Sequence, residues 1–198
     1  MHLAAEADSA VNGEISHYPG FYSALAADQF LHDLLNNHHW PNSNYVVEGR
    51  RFSLPRQQSW HADEGVVYSY SNNLLVTRPW TSVLTTIRQE IQKVLGCQFN
   101  SVLVNLYRNG DDYVGWHADD EVELGVNPVI ASLSFGATRK FSYKSTAADN
   151  AGDLHLRHGD LLVMEAGFQS QWLHSVPPDC QVINPRINLT FRYVYPAA

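Results

Sequence analysis

Pro185-Arg186-Ile187-Asn188-Leu189-Thr190-Phe191-Arg192 alternates without a break between apolar and polar residues. That period of two defines a β-strand. Ile187, Leu189 and Phe191 face one side; Arg186, Asn188, Thr190 and Arg192 face the other. Two guanidiniums with an amide and a hydroxyl on the inner face of a barrel are costly to bury unless an anion meets them. Arginine forks bind carboxylates bidentately, so a dicarboxylate charged at both ends suits this row. A solvent-facing polar edge is the alternative that the segment alone leaves open.

Working outward, the chain from residue 99 reads as short strands at 101–108, 129–135, 139–144, 152–157, 160–165, 171–176 and 187–195. They are separated by Asn109-Gly110, Gly136, Gly152, Gly159, Gly167 and Pro177-Pro178. This spacing predicts a sandwich or barrel of the jelly-roll kind. On strand 101–108, Asn105 and Tyr107 share a face and offer an amide and a hydroxyl to the same ligand.

Upstream, Phe21, Leu25, Phe30, Leu31, Leu34 and Leu35 predict an amphipathic helix over 21–40. Val83, Leu84, Ile87, Ile91, Val94 and Leu95 predict another over 80–96, ended by Gly96. Residues 44–79 read as a hairpin and an outer strand, and residues 1–20 as a loose arm closing at Tyr18-Pro19-Gly20. The expected fold is mixed and β-rich: a double-stranded β-helix with N-terminal helices packed on one sheet. Residues 21–198 then form a single domain with its core over about 99–196.

Bulk properties narrow the class. The chain has 198 residues, 44% apolar and 17% charged, which fits one globular domain and excludes a disordered chain. Cys97 and Cys180 are far apart and form no metal-type pair, as in a reduced intracellular protein. The N-terminal MHLAAEADSA lacks a signal-peptide pattern, and no apolar run is long enough to span a bilayer. A soluble, cytoplasmic monomer is expected, with no membrane partner. The formal net charge of −7 argues against strong non-specific nucleic-acid binding and leaves room only for a local basic rim.

The second chemical constellation is Gly115-Trp116-His117-Ala118-Asp119. His and Asp two apart on an extended segment point the same way and can share a metal. His174, in QWLHSVP, is the best third ligand. Two His and one carboxylate on one face leave three positions open, the pattern of non-haem Fe(II) oxygenases. A lone His-x-Asp is weak evidence, and this chain holds another, His61-Ala62-Asp63, with no later His placed to complete it. That pair reads as loop residues, and His155 and His158 as exposed residues flanking a turn.

Taken in order, Pro55-Arg56, Tyr68-Ser69-Tyr70-Ser71, FNSVLVNLYRNG (99–110), WHADDE (116–121), PVIASLSFGATRKF (128–141), HGDLLVME (158–165), QWLHSVP (171–177) and PRINLTFR (185–192) resemble the AlkB family of nucleic-acid dealkylating dioxygenases. The resemblance runs from about Leu54 to Tyr195. It implies His117, Asp119 and His174 as Fe(II) ligands. It also implies Asn105, Tyr107, Arg186, Asn188, Thr190 and Arg192 around 2-oxoglutarate, with Arg186 on the distal carboxylate and Arg192 towards the chelating end. It implies oxidative removal of N-alkyl groups, as from 1-methyladenine or 3-methylcytosine, consuming O2 and 2-oxoglutarate and releasing succinate, CO2 and formaldehyde. Nucleic acid carrying alkylated bases is the implied partner, DNA before RNA; a protein or a small molecule is the alternative substrate.

The target atom lies on the pairing edge of a base, so the base must be flipped or single-stranded. Residues 44–79 become the substrate-reading lid. Tyr68 and Tyr70 would stack on the base, Asp120 and Glu121 would favour its cationic methylated form, and Arg56 would contact the substrate or its backbone. Val47 or Glu48 falls where duplex-acting relatives carry an apolar wedge. Glu48 is a poor wedge beside phosphates, which favours single-stranded or locally opened substrates.

Overall fold

The structure, a computed structural model, describes residues 8–10, 14–41, 44–47, 50–67, 69–70, 73–74 and 76–195. Among them, strands β1 (Asp8–Ala10), β2 (Ile15–Tyr18), β5 (Gln57–Ala62), β8 (Thr77–Arg78), β9 (Ser101–Tyr107), β11 (Ile130–Gly136), β14 (Leu161–Met164) and β16 (Arg186–Arg192) build an eight-stranded sheet in the order β1-β2-β14-β11-β16-β9-β5-β8. Strands β10 (Val114–His117), β12 (Arg139–Ser145), β13 (Ala151–Leu156) and β15 (Trp172–Val176) form a second sheet, ordered β10-β15-β12-β13. Two small hairpins, β3 (Asn44–Val47) with β4 (Arg50–Ser53) and β6 (Ser69–Tyr70) with β7 (Asn73–Leu74), lie between β2 and β8 in sequence. The jumps in strand order are those of a jelly roll, as expected.

Helices α1 (Ala24–Asn37) and α2 (Ser82–Leu95) cover one face of the large sheet. Each starts where a hydroxyl caps it: Ser23 accepts from the Ala26 N–H and Thr81 from the Leu84 N–H, both at 3.4 Å. Such caps are worth about 1 kcal/mol each. Helix α2 ends at Gly96, whose φ of 68° only glycine adopts without cost, and its N–H returns to the Gln92 carbonyl. Leu34, Leu84, Ile87 and Ile91 are fully buried against the sheet, together with Val102, Val104, Ile187, Leu189 and Phe191. Leu25, counted on the apolar side of the first helix, is 71% exposed, whereas Phe21 is buried ahead of the helix. The helix starts three residues later than the apolar pattern suggests, so its stripe is set by Ala27, Phe30, Leu31 and Leu34.

All seven residues of β16 and of β9 are buried, since both faces of the sheet are covered. The odd-numbered residues of β16 meet the helices. The even-numbered ones point between the two sheets, where a separate apolar cluster of Ile130, Phe141, Leu162, Met164, Phe168 and Trp172 fills the far end. The alternation of 186–192 is therefore a division between core and site.

Three expectations are corrected. Residues 1–20 are not wholly a loose arm: β2 pairs antiparallel with β14, from Leu161↔Tyr18 to Met164↔Ile15, and β1 pairs with β2. Ile15 is fully buried, which anchors a strand too short to announce itself by periodicity. His61 is not a loop residue: it lies on β5 at 4% exposure, whereas Asp63, in the bend that follows that strand, is a loop residue as expected. His158 is half-buried, its Nδ1 accepting from the Gly136 N–H at 2.8 Å, while His155 is exposed as expected.

His38 and His61 predict acid sensitivity. The ring of His38 hydrogen-bonds Ser59 Oγ (2.7 Å), and Ser59 Oγ meets His61 Nε2 (3.2 Å). Burial lowers the His38 pKa to about 4, helped by His61, Arg78 and His39 against the opposing Asp33. Burial also lowers His61. Unfolded histidine titrates near 6.5, so the unfolded chain takes up protons that the fold refuses. This contribution is fully present above pH 6.5 and is lost as the pH falls from there towards 4. Thermal melting should therefore drop between pH 7 and 5, and drop less in His38→Gln; an equal drop in both would refute the assignment.

Candidate metal and cosubstrate centre

Strands β10 and β15 are antiparallel neighbours, and their register pairs His117 with His174. The two rings lie 4.2 Å apart between centroids. Asp119 is not on the strand; it follows two residues after β10 ends and is held by other contacts. Its backbone N–H donates to Gln169 Oε1 (2.9 Å), and its Oδ2 accepts from Arg192 Nη2 (2.7 Å). Gln169 sits on the short helix α3 (Phe168–Gln171), and its amide nitrogen reaches the Met164 sulfur. Sequence reading missed Gln169, because a buried glutamine on a one-turn helix carries no pattern of its own.

The candidate ligand atoms of His117, Asp119 and His174 all lie within 4.8 Å of one another, the one such group of His, Cys, Asp or Glu among the described residues. His117 Nδ1 donates to the Gly115 carbonyl at 2.8 Å, which fixes the tautomer and leaves Nε2 for a metal. Nε2 lies 4.0 Å from Asp119 Oδ1. Asp119 Oδ1 and His174 Nδ1 are buried without a hydrogen-bond partner. An orphaned carboxylate oxygen between two imidazoles is what a divalent cation satisfies.

Electrostatics agree. Burial would push the Asp119 carboxyl up, but the Arg192 guanidinium, with His117 and His174, outweighs it and holds the pKa down at about 2. Burial and the neighbouring His117 drop His174 to about 3, Asp119 opposing. Both groups are thus in the metal-binding form at neutral pH.

The nine residues expected to hold iron and 2-oxoglutarate line a single pocket, together with Arg56, Ser132, Phe141 and Met164. At its inner end Arg186 is 1% exposed; Nη2 donates to Ser134 Oγ (2.9 Å), while Nε and Nη1 have no hydrogen-bond partner. The Arg186 and Arg139 guanidiniums lie 5.2 and 5.5 Å from the Tyr107 ring centre. Burial lowers Arg186 to about 10, with Tyr107 countering and Arg139 adding to the shift. Arg139 is committed to the carbonyls of Asn109, Asp112 and Pro177, tying two loops, those after β9 and after β15, behind this end. Arg186 therefore presents two buried donors to the pocket, which fits a carboxylate. Asn188 donates to Ser132 Oγ (2.8 Å) and the Leu133 carbonyl (3.2 Å), and Thr190 donates to Asn188 Oδ1 (2.9 Å). The serines of β11 thus keep this polar row aligned.

Arg56, expected to contact the substrate or its backbone, lines this same pocket. It is 5% exposed, with Nε donating to Asn105 Oδ1 (3.0 Å) and Nη1 to the Tyr113 carbonyl (3.3 Å). Leading into β5 beside β9, it braces Asn105 in the pocket wall. Asp120 is exposed and Glu121 partly so, both directly after the metal segment. Tyr68 and Glu48 lie outside the described residues, as do the side chains of Val47 and Tyr70.

A His-Asp-His triad and an arginine-ended pocket between two jelly-roll sheets define a non-haem Fe(II) oxygenase site that takes a dicarboxylate. A profile of the 2OG-Fe(II) oxygenase superfamily matches residues 14–192. The chain is 41% identical over 189 residues to alpha-ketoglutarate-dependent dioxygenase alkB homolog 3 of Homo sapiens, covering 90% of this chain and 65% of that protein. It is 41% identical over 160 residues to DNA oxidative demethylase ALKBH2 of Mus musculus, covering 76% and 66%. The solved structure of OsALKBH1 superimposes with a TM-score of 0.63 at 17% identity, covering 91% of this chain and 96% of that one, a likeness of fold. The chain belongs to the 2OG-Fe(II) oxygenase superfamily and, within it, to the AlkB family. It spans about two thirds of the length of these curated relatives.

Proposed function

We propose that this protein oxidatively removes N-alkyl groups from nucleobases in DNA, single-stranded or locally opened, as direct reversal of alkylation damage. The observation that carries the reading is the convergence of the triad and the arginine-ended polar row on one pocket. Kinship to proteins named as DNA oxidative demethylases directs the choice of substrate. The chain is proposed to act as a cytoplasmic monomer, in keeping with its two free cysteines. Among the described residues no helix is long and apolar enough to cross a membrane.

Iron held by His117, Asp119 and His174 would, with 2-oxoglutarate and O2, supply the oxidising power. The net change converts N–CH3, 2-oxoglutarate and O2 into N–H, formaldehyde, succinate and CO2. The protein's own part is placement. Arg186 would anchor the far carboxylate, and Asn105, Tyr107, Asn188 and Thr190 would line its length. Arg192 and Gln169 hold Asp119 so that Oδ1 faces the site. Burial of the inner pocket keeps water from the reacting groups. His117, with its side chain 23% exposed, marks the side from which a base would enter. Tyr68, Tyr70, Asp120 and Glu121 are proposed to receive that base.

The test is incubation with Fe(II), 2-oxoglutarate, ascorbate and a short DNA bearing 1-methyladenine, following the oligonucleotide mass. Loss of one methyl group is expected, faster on the single strand than on a matched duplex, because the net charge of −7 and Glu48 disfavour prising a duplex apart. No loss from either form would overturn the proposal, and equal rates would remove its strand preference.

A further inference from the structure

Helix α3 is a single turn, and a turn of that length does not hold itself in place. No side chain caps its start. Its position matters twice to the metal site. Gln169 on it holds the Asp119 backbone N–H at 2.9 Å. Its C-terminal end runs directly into β15, which starts at Trp172, two residues before His174. The Phe168 ring stacks on Trp172, with centroids 6.3 Å apart, and lies 5.9 Å from the His174 ring. Two of the three proposed iron ligands thus take their places from this turn.

What fixes the turn comes from the other end of the chain. The pairing of β2 with β14, closed by Met164↔Ile15, brings Glu14 to this spot. The Glu14 carboxylate spans the junction of α3 and β15: Oε1 accepts from Gln171 Nε2 (2.7 Å) and Oε2 from Trp172 Nε1 (2.6 Å). Its carbonyl accepts from the Glu165 N–H (2.9 Å), and the Glu165 carbonyl accepts in turn from the Phe168 N–H (3.0 Å) at the start of α3. Ser16 Oγ donates to the Glu165 carboxylate (2.7 Å). Trp172 is 6% exposed, so without Glu14 its indole N–H loses the acceptor that burial demands. On the far side of the junction the Gln171 carbonyl accepts from the Thr146 N–H and Oγ1, contacts that hold the backbone and leave the Trp172 ring to Glu14.

We propose that Glu14 is a positioning residue for the metal centre: its carboxylate fixes α3 and the start of β15, and through Gln169 and Trp172 it sets where Asp119 and His174 stand. The inference rests on the metal site proposed above and is independent of which substrate is oxidised. It gives the N-terminal strand a task in the chemistry, at a distance of more than a hundred residues in sequence from every ligand it serves.

The experiment titrates the metal-free full chain with Co(II), well below its melting temperature, and follows the d–d absorption bands, whose position and intensity report ligand geometry. Asp119→Ala is the control that should abolish binding at the site. Glu14→Ala should weaken Co(II) about tenfold and shift the bands, since removing groups that orient metal ligands costs about 10–100-fold in affinity. Glu14→Gln keeps a carbonyl oxygen for the Trp172 N–H and should restore most of the affinity and the wild-type bands. Gln169→Leu should resemble Glu14→Ala, and the double variant should be little weaker than the worse single one, because both act along one path. Trp172→Phe keeps the ring packing and removes the donor; it should reproduce the loss in part, and it carries the test if Glu14→Ala does not fold. Wild-type affinity and bands in folded Glu14→Ala, or effects of Glu14→Ala and Gln169→Leu that simply add, would overturn the brace while the Asp119→Ala control left the metal site standing. Co(II) held equally well by Asp119→Ala would bring down the metal site itself, and the brace with it.

Discussion

Asp119→Ala is expected to lose iron and all dealkylation, and to lose stability as well. The carboxylate serves two partners: Oδ1 is free for a metal, and Oδ2 accepts from Arg192 at 2.7 Å, with both side chains at most 3% exposed. Removing it takes the carboxylate partner from a buried guanidinium, a change that costs about 3–5 kcal/mol when one member of a buried pair is deleted. Asp119→Asn separates the roles. Its amide oxygen still accepts from Arg192, so melting should stay near that of the wild type, while the charge needed to hold Fe(II) is gone. Iron content by mass spectrometry and melting temperature measure the two effects. An Asn variant that retained a full equivalent of iron would refute the assignment of Asp119 as a ligand.

Arg186→Leu should raise the KM for 2-oxoglutarate by at least about 100-fold, since two charge-assisted hydrogen bonds to a carboxylate are worth about 1.5–3 kcal/mol each. The apolar replacement removes the buried charge along with its donors, so the metal-free fold should tolerate it well. Iron binding should persist, because the Arg186 contacts are to Ser134 and Tyr107 and not to the triad. Arg186→Lys should recover only part of the affinity, its single ammonium replacing a planar fork. A KM for 2-oxoglutarate within a few-fold of wild type in Arg186→Leu would place the distal carboxylate elsewhere.

Much of this was legible in the chain. The alternation of 186–192 and the shared face of Asn105 and Tyr107 survive in the structure as a division between core and pocket, because a strand covered on both faces must still choose which residues face the polar side. The His117–His174 pairing follows from register between two strands of one sheet, which no local pattern reveals. Asp119 was found by its spacing from His117 on an assumed extended segment, yet it sits beyond the strand and depends on Gln169 and Arg192 for its place. Long-range partners of this kind leave no periodic trace.

The same limit explains the misreadings. β2 is four residues long and gains its stability from β14, so it read as an arm. His61 reads as a loop residue because its partner, the Pro79 carbonyl, lies 18 residues on, beyond β8. The acceptors of Arg56, Asn105 and the Tyr113 carbonyl, come from β9 and from just ahead of β10, which no local pattern reveals.

The most direct test of the central claim is the stoichiometry of a single reaction. With Fe(II), 2-oxoglutarate, O2 and excess single-stranded DNA carrying 1-methyladenine, succinate, formaldehyde and repaired adenine should appear in equal amounts, and all three should vanish in Asp119→Asn. Succinate formed at an undiminished rate without loss of the methyl group would show that the pocket oxidises something other than an alkylated base.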